Sequence, residues 1–118
     1  MERTQEARLA RRIRYTVYGF IDNLEKQNHF QDHEMEFNPP FPSADAYETR
    51  AIAFLAGPMT GTMEECTRRN GDVIRYDTAT NEFAICNRDG ILRTYYRPDP
   101  VWHRKASNLT YFREQCGK

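Results

Sequence analysis

The chain has 118 residues, 39% hydrophobic and 29% charged, and its 17 Lys/Arg balance its 17 Asp/Glu. That length suits one domain around a single core, and no apolar run approaches the ~20 residues that a membrane span needs. The opening, Met1 to Arg14, alternates charges with small residues and lacks the apolar stretch of a signal peptide.

The balanced charge is unevenly divided. Residues 1–66 hold 7 Lys/Arg and 11 Asp/Glu, whereas residues 67–118 hold 10 Lys/Arg and 6 Asp/Glu. A basic second half suits a polyanionic partner, and it equally suits a solvated sheet face that carries arginines. Cys66, Cys86 and Cys116 are an odd number without metal-ligand spacing. Reduced thiols in a cytoplasmic protein are the simplest reading, with one disulfide plus a free thiol as the alternative.

In chain order, residues 5–28 read as a helix. Ile13, Val17, Phe20, Ile21 and Leu24 fall at the 3–4 spacing of one face, and Gly19 weakens it. His29 to Phe37 is polar, with two histidines. Asn38-Pro39-Pro40-Phe41-Pro42 ends any helix and forms a stiff link. Ser43 caps a second helix with Ala46 to Leu55 as its body, Tyr47, Ala51, Phe54 and Leu55 on one face, and Gly57-Pro58 as its stop. Residues 59–70 read as a loop or short helical turn.

Three strands follow, within Gly71–Asp77, Asn81–Cys86 and Gly90–Arg97. Asp77 to Asn81 is the first turn, Asn87-Arg88-Asp89-Gly90 the second, and Pro98-Asp99-Pro100 closes the third strand. Asn108 to Cys116 is a short helix or a strand. The order predicts one α+β domain over 1–118, with a helical part about 5–57 and a strand part about 71–112. N-terminal helices pack on one face of a small antiparallel meander.

The block Arg75-Tyr76…Asn81-Glu82-Phe83…Arg93-Thr94-Tyr95-Tyr96-Arg97-Pro98, followed by Asn108-Leu109-Thr110-Tyr111-Phe112, carries a resemblance. It resembles toxin-type nuclease domains of the barnase–EndoU–colicin–RelE group, found at the C-termini of bacterial polymorphic and contact-dependent toxins and in phage proteins. The resemblance covers roughly residues 29–112. It implies metal-independent RNA cleavage, often of tRNA, with no cofactor and no metal. It also implies an acidic immunity protein or antitoxin as partner, and an Arg-Thr pair on the third strand, here Arg93-Thr94.

Metal-free RNA cleavage drives the ribose 2′-OH against the adjacent phosphate. It needs a base, an acid and fixed donors for the crowded phosphorane. Histidine titrates near neutrality, and arginine's fork grips two phosphate oxygens. His33 is the first candidate for proton transfer and His29 the second, four residues apart and on one face if helical. His103, beside Trp102, is a third. Asp32, Glu34 or Glu36 could orient a histidine or simply keep the segment solvated. Arg75, Arg93 and Thr94 are the candidates for the phosphate, and Tyr111 for stacking a base. Each also has a plain structural reading as strand arginine, β-former or core aromatic.

Two alternatives stay open. His29-x3-His33 is half of a zinc platform without an evident third ligand. The basic, tyrosine-rich sheet with Arg75, Arg93 and Arg97 also suits a non-catalytic RNA- or protein-binding module.

Overall fold

The computed structural model describes residues 16–118. Its elements are α1 (Asn23–His33), a 3-10 turn (Glu34–Glu36), α2 (Ala44–Ala56), β1 (Met63–Thr67), β2 (Val73–Asp77), β3 (Glu82–Cys86), β4 (Leu92–Tyr96), α3 (Pro100–His103) and α4 (Asn108–Cys116). The strands make one antiparallel sheet in the order β1-β2-β3-β4. The fold is α+β, with N-terminal helices packed on a meander.

Local chemistry explains most of these boundaries. The Ser43 side chain accepts from the Ala46 N–H at 3.1 Å, and Gly57 ends α2. Between them Tyr47, Ala51, Phe54 and Leu55 turn one face inward, each apolar side chain contributing ~1.5–3 kcal/mol by leaving water. At the turn between β3 and β4, Asn87 Oδ1 accepts from the Asp89 and Ile91 N–H groups. Gly90 there sits at φ +84°, and a Cβ on it would lie 2.1 Å from the Thr16 carbonyl oxygen, so no side chain fits.

Both faces of the sheet are covered. On one, Val73, Ala84, Cys86, Leu92 and Tyr95 pack with Tyr47, Ala51, Phe54 and Leu55 of α2. On the other, Ile74, Tyr76, Phe83, Ile85 and Tyr96 pack with Tyr111 and Phe112 of α4. Helices on a single face were therefore too few: the ambiguous C-terminal segment is a helix and closes the second face. Every residue of β2 and β3 is buried, as strands sandwiched between two layers must be.

Three other expectations are corrected. Among the described residues the expected helix is present only from Asn23 on, and the part of that expectation at 5–15 lies outside the described residues. Over 16–22 the chain is not helical and bends at 21–22: Tyr18 N–H donates to the Gly90 carbonyl and Leu92 N–H to the Gly19 carbonyl, each at 2.8 Å. Val17 and Phe20 are buried, while Ile21 and Leu24 are 68% and 67% exposed, so these four never shared a helical face. Asp22 then caps α1, accepting from the Glu25 N–H at 2.8 Å.

The second correction is β1, within the stretch read as loop. Met-Glu-Glu-Cys-Thr has little β-propensity, but Glu65 lies opposite Arg75 on β2 and pairs with it. The third concerns the thiols. Cys66 on β1 and Cys116 on α4 form a disulfide, leaving Cys86 buried and free. The expectation of three reduced cysteines fails, because two positions 50 apart in sequence have no local signature of meeting. Among the described residues no helix is long and apolar enough to cross a membrane.

Candidate active site

His33 ends α1 and lies against the edge strand β4. Its ring stacks on Tyr96, centroids 5.0 Å apart and planes 19° from parallel. Its Nδ1 lies 2.7 Å from a Glu36 carboxylate oxygen. A carboxylate can only accept, so Nδ1 carries a hydrogen, and in the neutral ring the lone pair is then on Nε2. Nε2 has no hydrogen-bond partner among the described residues. Glu36 is itself fixed, because its other oxygen accepts from the Arg97 main-chain N–H at 3.0 Å. The 3-10 turn after α1 thus bends the chain so that a carboxylate three residues on returns to the ring.

Tyr96 links His33 to the second core. Its hydroxyl meets that of Tyr111 at 2.5 Å. Burial, reinforced by Tyr111, pushes the Tyr96 hydroxyl well above its ordinary pKa, so it stays neutral. Tyr111 is 8% exposed and stacks on His103 at 4.4 Å. It cannot stack a nucleobase, as expected from sequence, and instead braces Tyr96. Thr94 pairs with Ile85 and so stands on the same face, two residues before Tyr96. Sequence candidates His33, Thr94 and Tyr111 therefore gather around Tyr96.

The others lie apart. Arg75 is 3% exposed on the α2 face. Its guanidinium holds Glu65 at 2.8–2.9 Å and donates to the carbonyls of Phe54 at 2.9 Å and Gly57 at 2.7 Å. These contacts tie the C-terminal end of α2 to the sheet and leave it no phosphate to reach. Arg93 is the extra residue of a bulge where the β3–β4 register shifts. It points to solvent near Asp72, 3.7 Å away. His29 stacks on Phe20 at 5.0 Å, and its buried Nδ1 has no partner among the described residues. Burial, with His33 adding to it, holds His29 below its ordinary pKa despite Glu25. His29 therefore sits in the core side of α1, neutral.

Arg97, which follows β4, is the cation bonded to Glu36. Its Nη1 donates to the Glu36 carbonyl at 3.3 Å, and its Nε is buried without a partner among the described residues. Arg97 also lines a shallow cleft of about 310 Å³ with Asn38, Thr80, Arg50, Glu82 and Tyr95. There Arg50 forks onto Glu82 at 2.7 and 2.8 Å, and Tyr95 donates to the same carboxylate. Burial opposes the charge on Glu82, but the bonds from Arg50 and Tyr95 outweigh it and hold its pKa below the ordinary value.

Beyond Tyr96 lies α3. Asp99 caps it, Pro100 opens it, and Arg104 closes it at φ +61°. His103 Nδ1 accepts from the Lys105 N–H at 3.0 Å, so Nε2 carries the hydrogen and donates to Asn108 Oδ1 at 2.8 Å. Asn108 continues to Asn81, which also accepts from the Tyr76 hydroxyl. With both nitrogens engaged, His103 is a structural member of this network. Trp102 packs edge-on to Tyr111 at 5.5 Å and tilted on Tyr96 at 6.0 Å, yet remains 52% exposed.

Sequence reasoning could see the His33–Glu36 spacing but could not choose Glu36 over Asp32 or Glu34. It weighed Tyr96 for base stacking or core packing and Arg97 for an RNA- or protein-binding face, joined neither to His33, and saw Trp102 only as a neighbour of His103. No group of three or more His, Cys, Asp or Glu side chains with metal-site geometry occurs among the described residues. The His29–His33 pair faces Phe20 and Tyr96 rather than a third ligand. No protein-family model matches the chain, and no curated protein sequence matches it.

Proposed function

We propose that the chain is a metal-independent endoribonuclease of toxin type, cutting tRNA or other RNA by attack of the 2′-OH. The observation that carries this reading is the His33–Glu36 pair, in which a carboxylate fixes one tautomer and leaves Nε2 as a base. Arg97 is the cation beside it and the donor for phosphate oxygens. Thr94, two residues before Tyr96 on the same face, is the hydroxyl candidate on this strand. Arg75, His29 and Tyr111 support this arrangement as packing and bracing residues.

A non-catalytic module that binds through an open sheet face is less favoured, because α2 and α4 cover both faces. A cell that makes an active form needs protection, so an acidic immunity protein or antitoxin is the partner that fits this reading. Charge complementarity with the basic half would speed its binding.

The test is incubation of the purified chain with total tRNA in EDTA. Cleavage that leaves 2′,3′-cyclic phosphate ends, and that a 2′-deoxy substitution at the cut site blocks, is the expected result. Intact tRNA across pH 5–9 would overturn the reading.

A further inference from the structure

We propose that the α3 turn is a stacking subsite for an unpaired base of single-stranded RNA, with Trp102 as the surface and Arg104 on the adjoining phosphate. The proposal rests on the ribonuclease reading, whose substrate it helps to hold.

Trp102 is the single tryptophan of the chain. Three rings contact it: His103 edge-on at 5.3 Å, Tyr111 edge-on at 5.5 Å and Tyr96 tilted at 6.0 Å, and 52% of the residue stays exposed. The backbone beneath is equally fixed, by the Asp99 cap, by Pro100 and by the Lys105 N–H bond to His103. The free part of a large aromatic ring is thus presented to water from a rigid base. Such a ring needs little ordering to accept a flat ligand.

Two observations favour a base over other occupants. First, Trp102 and His33 pack on the same ring, Tyr96, so their centroids lie within about 11 Å of each other, the limit set by the two stacking distances. A base on Trp102 would belong to the strand whose phosphate meets His33. Second, the segment is cationic: Arg97, Arg104 and Lys105 stand against one acid, Asp99. Lys105 is engaged with Glu114 at 3.2 Å, whereas exposed Arg104 has no carboxylate partner among the described residues. An aromatic face beside an unpaired cation fits a stacked base with its phosphate. A purely apolar protein partner would use Val101, which is 84% exposed, and would not need the charge.

The tryptophan reports on its own subsite. The wild-type chain is titrated with a single-stranded 2′-O-methyl RNA, which lacks the nucleophile and is not cut. Saturable quenching of tryptophan emission is expected. By anisotropy of the labelled RNA, Trp102→Leu should raise Kd about 5- to 150-fold, the range for one lost base stack. Trp102→Phe should recover part of it. Arg104→Gln should reduce the salt slope of binding by about 0.7, one single-strand phosphate. Thermal melts of each variant show that it is folded.

Binding without quenching, or unchanged affinity in Trp102→Leu, would overturn the subsite. Emission that changes with protein concentration and not with RNA would mark a protein contact instead, and would also overturn it. Quenching by the uncut RNA, with no cleavage of ordinary RNA, would uphold the subsite while removing the catalytic reading.

Discussion

Replacing both Cys66 and Cys116 by serine removes the link between β1 and α4. The bond joins positions 50 apart in sequence. In the chain-entropy treatment, opening a loop of that size returns about 14 cal/mol/K to the unfolded chain, or about 4 kcal/mol at 25 °C. Polar contacts that remain in the variant include Arg68, just after β1, which donates to the Gln115 carbonyl at 2.8 Å and to its side-chain oxygen at 3.2 Å. The Arg113–Glu64 pair at 2.9 Å is exposed, and such pairs contribute ~0.2–1 kcal/mol. With a urea slope of about 2 kcal/mol/M, the midpoint should fall by roughly 2 M. The assay is urea unfolding followed by circular dichroism, with and without reductant. Reductant should lower the wild-type midpoint to that of the double variant and leave the variant unchanged. The remaining thiol, Cys86, is buried and pushed up to about 11, so it should not exchange with reagents in the folded state. Coincident urea curves for wild type and variant would refute the reasoning.

Other outcomes follow from the same geometry. Glu65→Ala should cost ~3–5 kcal/mol in denaturant, because it leaves the Arg75 guanidinium buried without its carboxylate. Adding Arg75→Met to Glu65→Ala should recover part of that loss by removing the stranded charge, and no recovery would show that the charge is not the cause. His29 has a folded pKa below its ordinary 6.5, so the unfolded chain takes up the proton first and stability falls as pH drops below that value. His29→Gln should flatten the stability profile between about pH 5 and 7, read from thermal midpoints. Glu82 has a folded pKa below its ordinary 4.5, so its contribution is present above that value and is lost as pH falls through the lower, folded one. Arg50→Met removes bonds that lower it, and acid unfolding should then begin at a higher pH.

What the sequence made legible was what adjacent residues determine. Ser43, the Tyr47-Ala51-Phe54-Leu55 spacing and Gly57 define α2 within a few residues of one another. Asn87 and Gly90 define their turn the same way. β1 was hidden because its Glu65 makes sense only beside Arg75, ten residues on. The expected helix ran too far back because Val17 and Phe20 match a helical period, although 17–19 lies against the start of β4 and the Phe20 ring packs on His29 and Tyr47. Candidate His33 came from residue chemistry alone, and its carboxylate lay three residues away. Tyr96, by contrast, meets His33 only once β4 is laid against α1. Arg75 illustrates the reverse error: a strand arginine looks available for phosphate until a neighbouring strand supplies its acid.

The most direct test is the single-turnover cleavage rate of one defined RNA in EDTA, for the wild type, His33→Ala and Glu36→Gln. Variants are used only after melts show that they are folded. His33→Ala should lose about 10²- to 10⁴-fold, the range for a positioned acid or base. Glu36→Gln should lose less, since it leaves the ring but releases its tautomer. A wild-type rate equal to that of His33→Ala would contradict the assignment of the His33–Glu36 pair to RNA cleavage.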